Sequence, residues 1–182
     1  MNNAFRLILI MLIALMPLDS SLAQRPKSEI DWSSLSFLIG EWTGEGGGQP
    51  SQATSAGATY SFDLQRKVII MRNYADYPAT KDVPAFSFSA MMIIYPNSSR
   101  DGFRASFFDS DPHVIEYTLN VSEDRKTLTF VSDPQPSSPR YRLTYKREGE
   151  NIINLEFEIA PPGKPEAFTK YVGGALRRKG GH

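Results

Sequence analysis

Nine short runs rich in β-branched and aromatic residues follow one another along the chain, at 59–63, 67–77, 86–95, 102–109, 114–121, 127–132, 141–148, 152–160 and 168–178. Their separators are built from Pro, Asn, Asp, Ser and Gly, as in Pro96-Asn97-Ser98-Ser99-Arg100-Asp101 and Glu148-Gly149-Glu150. Such residues turn a chain because they supply a fixed φ, a positive φ or local side-chain hydrogen bonds. Links of hairpin length leave no room for crossover helices, so neighbouring runs pair antiparallel. A first strand at 40–46 brings the count to about ten. A meander of that size exposes two long edges unless the sheet closes on itself. The expected fold is all-β, a single antiparallel up-and-down β-barrel, with a two-sheet sandwich as the competing architecture.

The first strand lies in Leu38-Ile39-Gly40-Glu41-Trp42-Thr43-Gly44-Glu45-Gly46-Gly47-Gly48. Alternation puts Trp42, Gly44 and Gly46 on one side, where glycine lets another backbone or a ligand approach closely. Upstream, Asp31 reads as the cap of a short helix over 31–38 that closes one end of the barrel. Its Trp32, Leu35 and Leu38 share a face at i, i+3, i+6 spacing, and Gly40 ends it. Residues 49–58 are small and polar and read as a mobile loop. The glycine run is no nucleotide loop, because no Lys-Ser/Thr follows it and no apolar strand precedes it.

Residues 1–23 read as an export signal: Arg6, an apolar run at 7–18 broken by Pro17, then Asp19-Ser20-Ser21-Leu22-Ala23 with cleavage after Ala23. The apolar run falls short of the roughly 20 residues that a spanning helix needs. The organisation expected is a signal at 1–23, a linker at 24–30, a barrel domain at 31–179 and a tail at 180–182, in a periplasmic or secreted protein with no membrane span after cleavage. Lys and Arg number 20 against 20 Asp and Glu, which leaves no basic footprint for nucleic acid or an anionic membrane. The absence of cysteine excludes disulfides, thiol catalysis and thiolate metal sites. His113 and His182 are the two histidines, too few for the usual multi-histidine metal centre, while carboxylate sites for hard cations stay open but carry no sequence mark.

Polar residues that share strand faces with apolar ones are the candidate ligand contacts. Arg72 and Tyr74 lie on one face of 67–77 with Val68, Ile70 and Asp76; the other face holds Ile69, Met71, Asn73, Ala75 and Tyr77. Arg104 shares a face with Ser106 and Phe108, opposite Phe103, Ala105, Phe107 and Asp109. Glu116 lies opposite the apolar set Ile115, Tyr117 and Leu119. His113, after Asp109-Ser110-Asp111-Pro112, belongs at a hairpin rim, where an imidazole beside carboxylates can act as a base or a pH-sensitive contact. No nucleophile elbow, paired carboxylates or metal spacing accompanies it, so no catalytic residue is assigned. Tyr60, Tyr74, Tyr95, Tyr117, Tyr141 and Tyr145 can place hydroxyls inside an apolar cavity, which suits an amphipathic ligand.

Gly40-Glu41-Trp42 at the start of the first strand, with Arg177 and Arg178 ending the last, resembles the pattern of the calycins, the lipocalins and fatty-acid-binding proteins among them. The resemblance implies a guanidinium laid across the indole, tying the last strand to the first. Further stretches, including Tyr77-Pro78-Ala79-Thr80-Lys81, Met92-Ile93-Ile94-Tyr95-Pro96 and Ile159-Ala160-Pro161-Pro162-Gly163-Lys164-Pro165, resemble bacterial calycin-like domains of unknown function. That resemblance implies a fold and no activity. The chain also looks distantly like nitrobindin-type barrels, which hold haem through a late histidine. Here 168–178 contains no histidine and His182 lies beyond it, so haem is not expected and no cofactor is assigned.

The function expected is binding of a small apolar or amphipathic molecule in the barrel, outside the cytoplasm. A barrel packed solid, serving as a structural or interaction protein, and a barrel enzyme using Tyr, Arg, Glu116 or His113 are the alternatives. A solid barrel leaves no cavity beyond roughly 300 Å3.

Overall fold

A computed structural model describes residues 29–47, 53–110 and 114–180. The export signal expected at 1–23, the linker up to residue 28, His113 and the last two residues of the tail lie outside the described residues. Ten strands follow in order: β1 (Gly40–Gly47), β2 (Ser55–Asp63), β3 (Val68–Tyr77), β4 (Phe86–Pro96), β5 (Phe103–Asp109), β6 (Val114–Val121), β7 (Thr127–Ser132), β8 (Arg140–Arg147), β9 (Ile152–Ala160) and β10 (Thr169–Arg178). Each pairs antiparallel with the next, and β10 returns to β1 through Trp42↔Arg178 to Gly47↔Gly173. The sheet is a closed barrel and not a sandwich. From β3 onward the strand bounds match those read from the sequence to within one residue at each end.

Two expectations are corrected. The loop placed at 49–58 is in part strand, because β2 begins at Ser55 and pairs on both sides, Trp42↔Ala58 with β1 and Gly57↔Tyr74 with β3. Ala56, Gly57 and Ala58 are weak strand formers, and they are small because the space is. A Cβ on Gly57 would lie 2.9 Å from the Tyr74 ring and 3.0 Å from the Trp42 carbonyl oxygen. Tertiary crowding here overrides intrinsic propensity.

The capping helix over 31–38 is also corrected, to a 3-10 turn at Ser36–Leu38 preceded by a bend. Its hydrogen bonds run from Leu35 N to Trp32 O (3.0 Å), Leu38 N to Leu35 O (3.0 Å) and Ile39 N to Ser36 O (3.2 Å). A winding of three residues per turn stacks positions 32, 35 and 38 on one line, whereas an α-helix swings each successive one aside. The sequence spacing thus fits the tighter coil, and all three side chains are buried. Asp31 does cap the bend, accepting a hydrogen bond from Ser33 N at 2.9 Å.

This segment plugs one end of the barrel. Trp32 stacks on Phe103 at 4.9 Å, meets Phe62 edge-on at 5.7 Å, and donates from Nε1 to the Arg66 carbonyl at 2.9 Å. Trp42 Nε1 donates to the Leu38 carbonyl at 2.7 Å. The Arg178 guanidinium lies 4.3 Å from the Trp42 ring and donates from Nη1 to the Ile39 carbonyl (2.7 Å) and from Nη2 to the Phe37 carbonyl (2.8 Å). Gly40 permits this arrangement. Its φ is +128°, and a Cβ there would sit 2.6 Å from Arg178 Nη1. Arg177, one residue earlier, points outward and is exposed.

Inward positions fill the plugged half with Ile69, Ile94, Leu128, Phe130 and Ile153, all fully buried. The outer wall is laced with polar side chains, such as Asp76 accepting from Ser55 Oγ and Ser87 Oγ. An apolar inside with a polar outside is the reverse of a lipid-facing barrel wall. Among the described residues no helix is long and apolar enough to cross a membrane.

Candidate ligand cavity

A chain of edge-to-face aromatic contacts crosses the lumen at its waist. Tyr60 meets Tyr145 at 6.1 Å and 89°, Tyr145 meets Phe130 at 6.0 Å and 88°, Phe130 meets Tyr117 at 6.2 Å and 78°, and Tyr117 meets Phe107 at 6.4 Å and 80°. Rings at these separations and angles gain from quadrupole alignment in addition to their buried area. The inward faces of β2, β5, β6, β7 and β8 supply one ring each, because apolar residues recur there at every second position. This aromatic floor divides the barrel into a packed half and a hollow half.

Above the floor lies a cavity of about 460 Å3, whose walls come from β3 to β6 and β8 to β10. That exceeds what a solidly packed barrel leaves and falls within the usual range for small-molecule sites. Met71, Ile115, Leu143 and Leu155 give its lower wall, with the Tyr117 and Tyr145 rings beneath. Rings dominate the mouth. Tyr77 stacks on Phe86 at 4.8 Å and 14°, Tyr141 stacks on Phe157 at 5.9 Å and 9°, and Tyr171 meets Phe157 edge-on at 6.3 Å. Tyr171 reaches that place through a register shift in β10 between Lys170 and Val172. Such bulges re-aim a side chain that regular alternation would send elsewhere. Phe86 and Tyr171 are 40% and 52% exposed, so the aromatic lining continues to the rim.

The cavity is sparsely polar. Burial in the floor raises the hydroxyl pKa of Tyr60 and Tyr117 and pushes Tyr145 up to about 12, because an apolar surrounding disfavours phenolate. These groups are therefore neutral hydrogen-bonding hydroxyls at any physiological pH. Tyr77, at the mouth, is raised by burial and then by the nearby Tyr171. Two further polar residues, Asn73 and Asp109, line the same cavity. Asn73 Oδ1 is shielded from solvent and accepts no hydrogen bond from a described residue.

Most of the residues singled out in the sequence lie elsewhere. Arg72 and Tyr74 are exposed on the outer face of β3. Arg104 stands on the outer wall, where Nη2 donates to Asp133 Oδ2 at 2.5 Å and Nη1 to Thr118 Oγ1 at 3.2 Å; the Asp133 hydrogen bond raises its pKa. Glu116 accepts from Ser106 Oγ at 2.9 Å and Tyr95 Oη at 3.4 Å on the same wall. None of these four faces the lumen. Tyr117 does, as do Tyr60, Tyr141 and Tyr145, while Tyr74 and Tyr95 turn outward. His113 lies outside the described residues. Gly40, Trp42 and Arg178 form the closing cluster at the opposite end from the cavity, with Arg177 beside it on the surface.

The lumen residues that the sequence reading passed over are Asn73, Asp109, Tyr77, Phe157 and Tyr171. A signal existed for Asp109, the acid that ends the apolar face of Phe103, Ala105 and Phe107. Tyr171 had none, since a bulge displaces it from alternation. Two larger surface depressions, about 680 Å3 each, flank the plugged end beside Glu29 and Asp31. The chain that precedes Glu29 there lies outside the described residues. Among the described residues no cluster of three or more His, Asp or Glu could hold a metal ion.

No family model matches the chain, and no curated protein matches it. Among solved structures it is similar to one described as EF1p2_mFAP2b bound to DFHBI, at 11% identity over 80% of this chain and 97% of that chain, with a TM-score of 0.32. A superposition that loose carries no argument about what this chain binds.

Proposed function

We infer that this protein binds a small apolar or amphipathic molecule in the hollow half of its barrel and that it is exported by the segment at 1–23. One observation carries the binding reading: a cavity of about 460 Å3 walled by aromatic rings and open at one end. Apolar ligand surface enclosed there gains about 25 cal/mol per Å2, so burying about 200 Å2 supplies roughly 5 kcal/mol before the cost of immobilising the ligand. The few hydroxyl, amide and carboxyl groups fix orientation in place of supplying bulk affinity. The outward ladders that hold Arg104 and Glu116 serve the wall.

Native mass spectrometry of the protein isolated from its own compartment, before and after denaturation, tests this reading. A co-purifying mass that disappears on unfolding supports it, and a protein mass beginning at Gln24 supports export and cleavage after Ala23. A bare protein mass that persists after a lipid and metabolite extract is added back would sink the carrier reading. A mass matching haem would overturn the expectation of no cofactor.

A further inference from the structure

Paired rings wall the open end of the cavity on two sides. Tyr77 of β3 stacks on Phe86 of β4, and Tyr141 of β8 stacks on Phe157 of β9, with interplanar angles of 14° and 9°. In a closed barrel of ten strands, β3 and β8 lie five places apart in either direction, and so do β4 and β9. The two pairs therefore stand on opposite walls. All four rings line the same cavity. They also share its open end, because Tyr77 ends β3, Phe86 begins β4, Tyr141 is second in β8 and Phe157 lies near the end of β9.

Walls of this kind select by shape. Among the described residues, nine of the seventeen that line the cavity carry rings, so a guest meets ring surface more than aliphatic surface. Phenyl and phenol side chains turn about two torsions and keep their planes rigid. Against them an aromatic guest gains from stacked or edge-on alignment in addition to the area it buries. A saturated guest of equal size gains the area alone, and a linear chain also gives up the freedom of every bond that the cavity fixes. Phe86 and Tyr171 at the mouth stay exposed over much of their surface, so the barrel's own packing does not use up its rings. Large exposed rings at the edge of a cavity mark a surface that a guest covers.

We propose that the cavity takes a flat, fused-ring aromatic molecule, seated from the open end between the Tyr77–Phe86 pair on one wall and the Tyr141–Phe157 pair on the other. The proposal rests on the ligand-cavity reading above and narrows its guest from any apolar or amphipathic molecule to a planar aromatic one, in place of a fatty chain.

Three neutral probes, each with ten carbons and one hydroxyl, test it: 2-naphthol, which is flat and aromatic, decahydro-2-naphthol, which has the same two rings saturated, and 1-decanol, a chain. Each is titrated calorimetrically at neutral pH into the native protein freed of co-purifying molecules. The hydrophobic effect alone favours 1-decanol, which has the largest apolar surface. The proposal expects the reverse, with 2-naphthol at least about tenfold tighter than either saturated alcohol, a margin that two favourable ring contacts supply. Phe86→Leu and Phe157→Leu, one from each wall, keep apolar bulk and remove a ring. Each is expected to cut the preference for 2-naphthol over decahydro-2-naphthol about threefold, and a preference that either folded variant retains in full overturns the seating. The ranking on the native protein needs no variant, so a variant that folds poorly leaves the test intact. A smaller margin than tenfold, or a saturated alcohol binding tightest, overturns the proposal and leaves the carrier reading standing. If none of the three binds, the carrier reading fails and this proposal with it.

Discussion

The two arginines that end β10 differ by one position and should differ widely in what they contribute to stability. Arg178 reaches back across the seam to two carbonyls of the plug and covers the Trp42 ring, whereas the Arg177 side chain is exposed. Hydrogen bonds from a charged donor are worth about 1.5 kcal/mol or more each, and the stacked cation adds about 1 kcal/mol. Removing all three through Arg178→Ala is expected to cost about 4 kcal/mol, and a little less where water reaches the freed carbonyls. For a domain of this size that lowers Tm by about 8–16 °C. Arg178→Lys keeps a charge but can serve one carbonyl at a time, so about half the loss should return. Arg177→Ala should stay within about 1 kcal/mol, as exposed charges usually do. Urea unfolding followed by tryptophan fluorescence and by far-ultraviolet circular dichroism gives all three values. The reasoning is refuted if Arg177→Ala costs as much as Arg178→Ala, or if Arg178→Ala costs less than about 1 kcal/mol.

Other perturbations read different parts of the same structure. Gly40→Ala meets both a positive φ of +128° and the Arg178 guanidinium, so a loss of about 2–4 kcal/mol is expected in the same urea assay; a neutral result would show that the seam yields easily. Leu64, Gln65 and Arg66 all hold positive φ in the turn from β2 to β3, so Gln65→Gly should raise stability by about 1 kcal/mol, and a lower urea midpoint would contradict that. Tyr60, Tyr117 and Tyr145 keep their protons above the ordinary phenol range, whereas the unfolded chain releases them near pH 10. Their contribution is complete below about pH 10 and is lost as pH rises towards about 12, by about 1.4 kcal/mol per pH unit for each group. Urea midpoints across that range, read beside tyrosinate absorbance, check this; a fold that persists while all its tyrosines titrate near pH 10 would contradict the buried floor.

Strand runs and turns were legible because pairing partners are adjacent in the chain and the alternation is local. Trp42 and an arginine at the far end were legible too, but choosing between Arg177 and Arg178 required the parity of β10. Parity is what a bulge destroys, and β10 contains one at Tyr171. Faces were resolved where one side was plainly apolar, as with Ile115, Tyr117 and Leu119, which left Glu116 outside. On β3 both sides carry apolar residues, since Val68 and Ile70 lie outward, and there Arg72 and Tyr74 drew attention away from Asn73. The small residues of β2 gave no signal because only the neighbouring Trp42 and Tyr74 explain their size. Hollow and packed halves draw on the same residue types, so the cavity could be seen only once registers aligned the rings.

The seam between β1 and β10 has a consequence in time. Every other pairing joins neighbours in sequence, and each can form as a hairpin once its two strands exist. The seam joins Trp42 to Arg178 and cannot form until the last strand has been synthesised. Until then the nascent sheet carries two open edges and an uncovered apolar face, the state most exposed to aggregation and proteolysis. Long-range closure is also the slow step by its loop entropy. A truncation that removes only β10 therefore deletes far more than one strand: the plug loses its guanidinium anchor, the cavity loses Val172 and Tyr171 from its wall, and the enclosed volume itself ceases to exist.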